Sequence, residues 1–91
     1  MEITIDASEL KDEGKEVIQG LADFVELKTG AEVKNESNQI TIKGEEAVIS
    51  KKYMRVLSRK YLHKRELKDF YRVISGNEST LKIKERKIYE D

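Results

Sequence analysis

The chain has 91 residues, of which 37% are hydrophobic and 40% are charged, so we expect a single domain over residues 1–91 with a modest core. It contains no cysteine, which excludes disulfides and thiolate metal sites, and no apolar run long enough for a membrane-spanning helix. The N-terminal residues are acidic and alternating, unlike a signal peptide, so a soluble cytoplasmic protein is expected.

The formal net charge is zero, but the two signs are separated along the chain. Residues 1–50 contain 5 Lys and Arg against 12 Asp and Glu, a net charge of −7. Residues 51–91 contain 13 against 6, a net charge of +7, and residues 51–72 alone have 9 basic and 2 acidic side chains. Because a phosphate surface responds to the local field, this distribution favours nucleic-acid binding, and merely solvated charged faces are the alternative.

The first part of the chain is predicted to form a strand and a long helix. Ile3 and Ile5 alternate with polar residues, which is typical of a short, half-buried strand. Six apolar residues then recur at helical spacing on one face, namely Leu10, Val17, Ile18, Leu21, Phe24 and Val25. The helix is expected to run from residue 9 or 12 to residue 28 and to end before Gly30, with Gly14 allowing close packing on the apolar face. Its outward face is acidic and carries Asp12, Glu13, Glu16, Asp23 and Glu26.

A hairpin, a second helix and another hairpin are predicted to follow. Alternating apolar residues on both sides of residues 35–38 indicate the first hairpin. Ser50 is expected to cap a helix over residues 51–64. Residues 70–86 are expected to form the second hairpin, with its turn at Gly76. The order β-α-β-β-α-β-β predicts an α+β two-layer sandwich, in which two helices pack on a mostly antiparallel sheet.

At 100° per residue, the second helix divides into an apolar stripe and a cationic stripe. The predicted core residues are Tyr53, Val56, Leu57 and Tyr61, with Met54 beside them. The predicted outward residues are Lys52, Arg55, Arg59 and His63, with Lys60 and Lys64 flanking the apolar face. No carboxylate occurs between Lys51 and Arg65 to offset the like-charged pairs four residues apart. Contacts to six phosphates would give a slope of log affinity against log salt of roughly −4 to −5.

Two further features of this segment bear on nucleic-acid binding. Lys51 and Lys52 occupy the first turn of the helix, where the helix dipole disfavours cations, and we expect a bound phosphate there. Packing in the core rather than stacking on bases is expected for three aromatic residues, Tyr53, Tyr61 and Phe70. For Tyr71, packing in the core and stacking on bases are equally open alternatives.

Catalytic and metal chemistry have little support in the sequence. His63 is the only histidine, and no Asp, Ser or Cys near it in the chain completes a catalytic pattern. The pair Glu45-Glu46 is typical of a soluble loop, and there is no phosphate-binding glycine loop or metal-ligand spacing. We therefore expect no enzymatic activity, no cofactor, no metal and no small-molecule substrate.

The segment covering residues 50–73 resembles the signature of one protein family. It reads Ser-Lys-Lys-Tyr-Met-Arg-Val-Leu-Ser-Arg-Lys-Tyr-Leu-His-Lys, and after two residues it continues as Leu-Lys-Asp-Phe-Tyr-Arg-Val. This pattern is similar to that of the eukaryotic-type large-subunit ribosomal protein family number twenty-two, which is distinct from the bacterial protein of the same number. The similarity has no gap over about 24 residues and extends more weakly over nearly the whole chain.

The resemblance implies an α/β sandwich with a structural, non-enzymatic role on large-subunit ribosomal RNA, beside neighbouring ribosomal proteins. It implies RNA contacts at the matching basic positions, Lys51, Lys52, Arg55, Arg59, Lys60, Lys64 and Arg65. His63, Lys68 and Arg72 complete the set of predicted RNA-binding residues. The chain lacks the lysine-rich N-terminal extension and the acidic C-terminal tail of eukaryotic members, as expected of a trimmed core. His63 and Glu66 stand where the family is expected to have more basic or amide side chains.

Three functions follow from these patterns. In the leading hypothesis, the basic helix and the second hairpin hold ribosomal RNA, while the acidic first helix faces solvent or a basic neighbour. The second is a free-standing regulator that binds stem-loop or duplex RNA with the same face. The third is a protein–protein interaction module that uses the separation of charge along the chain.

Overall fold

The computed structural model describes residues 1–86, which form five strands, two α-helices and one 3-10 helix. The elements are β1 (Glu2–Asp6), the 3-10 helix (Ser8–Glu13), α1 (Lys15–Thr29), β2 (Glu32–Glu36), β3 (Gln39–Lys43), α2 (Lys51–Lys64), β4 (Tyr71–Ser75) and β5 (Thr80–Glu85). The predicted α+β class and the predicted order of helices and strands are confirmed. Over the described residues, neither helix has the length and apolar character that crossing a membrane requires.

The five strands form one sheet in the order β2-β3-β1-β5-β4. All neighbouring pairs are antiparallel except β1 and β5, which are parallel. This arrangement places the first hairpin at one end of the sheet and the second hairpin at the other, so β2 and β4 are the two edge strands. The second hairpin therefore lies far along the sheet from β2 and β3, although the chain passes directly from β3 through α2 to β4.

One face of the sheet packs under both helices, and the other face is open. Residues that alternate along the strands are fully buried on the helix side, among them Ile3, Ile5, Ile40, Ile42, Leu81 and Ile83. Their neighbours on the strands are polar and exposed or half-buried. This alternation is the usual pattern of an antiparallel sheet with one solvated face. The face of the sheet opposite the helices is therefore exposed to solvent.

The first helix begins later than predicted, because Gly14 interrupts it. The backbone at Gly14 has φ 102° and ψ 153°, which separates the 3-10 helix from α1. A β-carbon at this position would meet no atom within 4 Å, so the prediction that Gly14 allows close packing is wrong. Its role is conformational, since only glycine adopts this backbone geometry readily. The predicted end of the helix is confirmed, because Gly30 closes α1 in the left-handed conformation at φ 68°.

The second helix has the predicted bounds, and the predicted cap is confirmed. The Ser50 hydroxyl accepts a hydrogen bond from the Tyr53 backbone N–H at 3.1 Å. The buried stripe, however, is rotated from the predicted one and consists of Met54, Leu57, Ser58, Tyr61 and Leu62. Tyr53 and Val56, which were predicted in the core, are 39% and 37% exposed.

Ser58 accounts for this rotation of the buried stripe. Its hydroxyl donates to the Met54 carbonyl at 2.8 Å, so a polar side chain is buried without an unsatisfied group. The aromatic residues divide accordingly. Tyr61 lies in the core as predicted and Tyr71 joins it, but the prediction for Phe70 is wrong because its side chain is 47% exposed.

Candidate nucleic-acid interface

A groove of about 780 Å³ runs between α2 and the edge strand β4. Its cationic lining consists of Arg55, Arg59, Lys60, Lys68, Arg72 and Arg86, together with His63. Its apolar lining consists of Leu62, Tyr71, Val73 and Ile74. No carboxylate is among the described residues that line it. The groove is therefore a strongly electropositive surface with a largely apolar floor.

On the helix side, two arginines and the histidine follow one stripe of α2. Arg55, Arg59 and His63 are spaced four residues apart, so they lie one above another along the helix. Because the buried face of the helix includes Leu62, this stripe is turned toward β4 and solvent. The like-charged spacing weakens the isolated helix by a few tenths of a kcal/mol for each pair. Packing of the opposite face against the core offsets that cost.

On the sheet side, the groove follows the open edge of β4. Four consecutive residues of this strand line it, from Tyr71 to Ile74, which shows that the groove runs along the strand rather than over one face. Arg86 closes this side of the groove. Its Nε donates to the Tyr71 carbonyl at 3.2 Å, and its backbone N–H donates to the Phe70 carbonyl at 2.7 Å.

Arg86 was not among the predicted site residues. Its position depends on the register of the second hairpin, in which Arg72 lies opposite Lys84, two residues before Arg86. A basic residue at every second position, at Lys82, Lys84 and Arg86, was a sequence signal for it, because alternate residues of a strand lie on the same face.

Tyr71 forms part of the floor and connects it to the acidic half of the chain. Its ring is buried, and its hydroxyl donates to Glu13 Oε1 at 3.2 Å. Burial raises the pKa of Tyr71 to about 12, and the adjacent Glu13 carboxylate acts in the same direction. The phenol is therefore a neutral hydrogen-bond donor at physiological pH. It joins β4 to the 3-10 helix beneath the groove.

The structure brings together six of the ten predicted RNA-binding residues in this groove. They are Arg55, Arg59, Lys60, His63, Lys68 and Arg72. The other four, Lys51, Lys52, Lys64 and Arg65, lie outside it. Lys51 Nζ donates to the Asn77 carbonyl at 2.6 Å, and Lys64 Nζ lies 5.8 Å from the centre of the Phe24 ring.

The positive charge of the groove is not neutralised by carboxylates of the described chain. Within residues 1–86, the only ion pair joins Lys43 Nζ on β3 to Glu2 Oε2 on β1 at 3.9 Å, and neither strand adjoins β4. In the same residues no group of acidic or histidine side chains is arranged to hold a metal ion. The field of the groove is therefore directed outward, where a polyanion can respond to it.

Comparison with known protein families gives a match that spans almost the entire sequence. Residues 2–91 match the model of the Ribosomal L22e protein family. The match includes the basic segment of residues 50–73, on which the resemblance noted from the sequence depends.

Proposed function

The chain belongs to the ribosomal L22e protein family, and on that premise we propose that it binds ribosomal RNA through the groove between α2 and β4. Membership makes it a protein of the large ribosomal subunit, and thus part of the ribonucleoprotein that carries out translation. The proposed role is structural and non-catalytic. Its proposed partners are large-subunit ribosomal RNA and neighbouring ribosomal proteins.

The observation that carries this proposal is the composition of the groove. Six Lys and Arg side chains line it, and no carboxylate among the described residues does. Cations that replace condensed counterions on a polyphosphate release those ions, which supplies most of the sequence-independent affinity for nucleic acid. A surface that served only solubility would mix the two signs. This one separates them.

The shape of the groove favours contact with the RNA backbone over reading of base pairs. The major groove of an RNA duplex is too narrow for a helix to enter, so recognition relies on phosphates, on shape and on unpaired segments. Arg55 and Arg59 along α2 and Arg72 on β4 form two walls that can hold one backbone segment between them. Arginine suits this role, because its planar fork can donate two hydrogen bonds to one phosphate.

The test compares two double variants that each remove two positive charges. Arg55→Gln/Arg59→Gln alters the groove, and Lys34→Gln/Lys43→Gln alters exposed lysines on β2 and β3. We expect the groove variant to bind purified large-subunit ribosomal RNA at least tenfold more weakly and to lower the salt slope by roughly two. The control should bind as the wild type does. Equal binding by both variants would contradict the proposal.

Sedimentation separates a ribosomal role from that of a free-standing RNA-binding regulator. The wild-type protein should sediment with the large subunit, and the Arg55→Gln/Arg59→Gln variant should be released at lower salt. A protein that binds purified RNA but never sediments with the subunit would instead support the regulator. A protein that binds neither would support the protein–protein interaction module.

A further inference from the structure

The open face of the second hairpin carries a second group of exposed basic residues. On β4 and β5, the side chains that point away from the helices include Arg72, Lys82 and Lys84. Arg72 lies opposite Lys84, and Ile74 lies opposite Lys82. These basic residues are exposed, and their neighbours on the same strands, such as Val73 and Ile83, are buried on the helix side. The register therefore brings the cations together on one surface.

The rest of the open face does not share this charge. Its other end, on β2 and β3, alternates Glu32 and Glu36 with Lys34 and Lys43. Next to the hairpin, the one carboxylate in register is Asp6, which lies beside Lys82 and accepts a hydrogen bond from the Ser8 backbone N–H at 3.0 Å. The net excess of positive charge on this face is thus confined to β4 and β5.

An exposed aromatic ring adjoins these cations. Phe70 immediately precedes β4, and its carbonyl accepts a hydrogen bond from the Arg86 backbone N–H at 2.7 Å, which holds it next to the end of β5. Phe70 lies two residues before Arg72, and both side chains are exposed, whereas Tyr71 between them is buried. Its side chain is 47% exposed, so part of the ring can be reached from solvent. Sheet faces that combine exposed aromatic rings with cations bind unpaired RNA bases by stacking.

We infer that the open face of the β4–β5 hairpin is a second RNA-binding surface, in which Lys82 and Lys84 contact phosphates and Phe70 stacks on an unpaired base. This inference rests on the proposed function, because it assigns a second surface for the same RNA. Arg72 is common to both surfaces, since it lines the groove and belongs to the open face. The edge strand β4 therefore separates two contact surfaces, and the ligand is an RNA that presents a backbone segment to one and an unpaired base to the other.

The lysine contacts are tested with Lys82→Gln/Lys84→Gln, measured against purified large-subunit ribosomal RNA by filter binding over a range of salt. The expected result is an affinity at least fivefold lower and a salt slope lower by roughly two. The matched control is Lys34→Gln/Lys43→Gln, which removes the same charge from the same face of the sheet. Binding by the hairpin variant that equals the control would overturn the assignment of the lysines.

The stacking contact is tested with two substitutions at Phe70. Phe70→Leu keeps an apolar side chain but removes the ring, and should lower affinity about tenfold without changing the salt slope. Phe70→Tyr keeps the ring and should bind as the wild type does. Equal affinities of the leucine and tyrosine variants would overturn the stacking role. Circular dichroism of each variant checks that the fold is retained.

The outcome for this surface is distinguishable from that for the groove. Loss of binding by Arg55→Gln/Arg59→Gln, with wild-type binding by the hairpin variants, would refute this inference and leave the proposed function standing. Loss by the hairpin variants alone would refute the groove and support the second surface.

Discussion

The hydroxyl group of Tyr61 on α2 lies against the backbone of Gly20 on α1, where it occupies the space that a β-carbon at residue 20 would need. The same hydroxyl donates to the Val17 carbonyl at 2.7 Å. Gly20 thus lets the two helices approach closely enough for a side chain of one to bond the backbone of the other. This contact fixes α2, and with it the cationic stripe, relative to the acidic helix.

Gly20→Ala should therefore destabilise the protein. In an exposed helix the same change is favourable by about 1 kcal/mol, but here the added methyl group would collide with the Tyr61 hydroxyl. We expect the free energy of unfolding, measured by urea denaturation, to fall by roughly 1–3 kcal/mol. In a Tyr61→Phe background, where the hydroxyl is absent, the alanine should be less destabilising. An equal loss of stability in both backgrounds would show that the Tyr61 hydroxyl is not what disfavours alanine at residue 20.

The local elements could be predicted from the sequence because their signals are local. Ser50 caps α2 and Gly30 ends α1, and each acts through hydrogen bonds to residues of its own helix. The buried stripe of α2 was predicted only in part. Leu57 and Tyr61 are buried as expected, but a serine at residue 58 is expected to face solvent unless its bond to the Met54 carbonyl is known. The groove could be predicted only in part. Arg86 reaches it through the pairing of β5 with β4, which no neighbouring residue specifies.

The rotated stripe of α2 predicts very different losses of stability for substitutions at two adjacent residues, which the helical spacing had grouped together. Leu57 is 2% exposed and Val56 is 37% exposed. Leu57→Ala should lower the free energy of unfolding by about 2–5 kcal/mol, because it leaves a cavity beneath the helix. Val56→Ala should change it by less than about 1 kcal/mol. Similar losses for the two variants in urea denaturation would contradict the orientation of α2.

Gly14 should resist substitution for a different reason from Gly20. There is open space around it, but its backbone conformation, with φ 102° and ψ 153°, is one that side chains other than hydrogen disfavour. Gly14→Asn should lower the free energy of unfolding by roughly 1–3 kcal/mol. Gly30→Asn is the matched control, since asparagine tolerates the left-handed conformation found there. Thermal unfolding should rank the Gly14 variant well below the control, and the reverse order would refute the argument.

Tyr71 should make the folded state sensitive to alkaline pH. Its pKa is about 12 in the folded protein, against an ordinary value of 10.0. Because the folded state holds the proton more tightly, this contribution to stability is complete below pH 10 and is lost as the pH rises toward 12. Urea denaturation between pH 8 and pH 11.5 should show a smaller decline for Tyr71→Phe than for the wild type. Parallel declines would show that this phenol does not control the loss.

The two lysines at the start of α2 should have separable roles. Lys51 Nζ donates to the Asn77 carbonyl at 2.6 Å and so joins the helix to the turn of the second hairpin, whereas Lys52 is exposed. A phosphate bound near Ser50 would contact Lys52 rather than Lys51, because Lys52 has no described contact that competes for its charge. Lys52→Ala should lower the salt slope of RNA binding by about 0.9, the share of one phosphate. Lys51→Ala should mainly loosen the turn, which hydrogen exchange at residues 76–79 would detect.

The double alanine variant should fold with unchanged circular dichroism and bind RNA more weakly, because the exposed contact at Lys51 contributes at most about 1 kcal/mol to stability. Wild-type affinity in that variant would exclude a phosphate at this end of the helix.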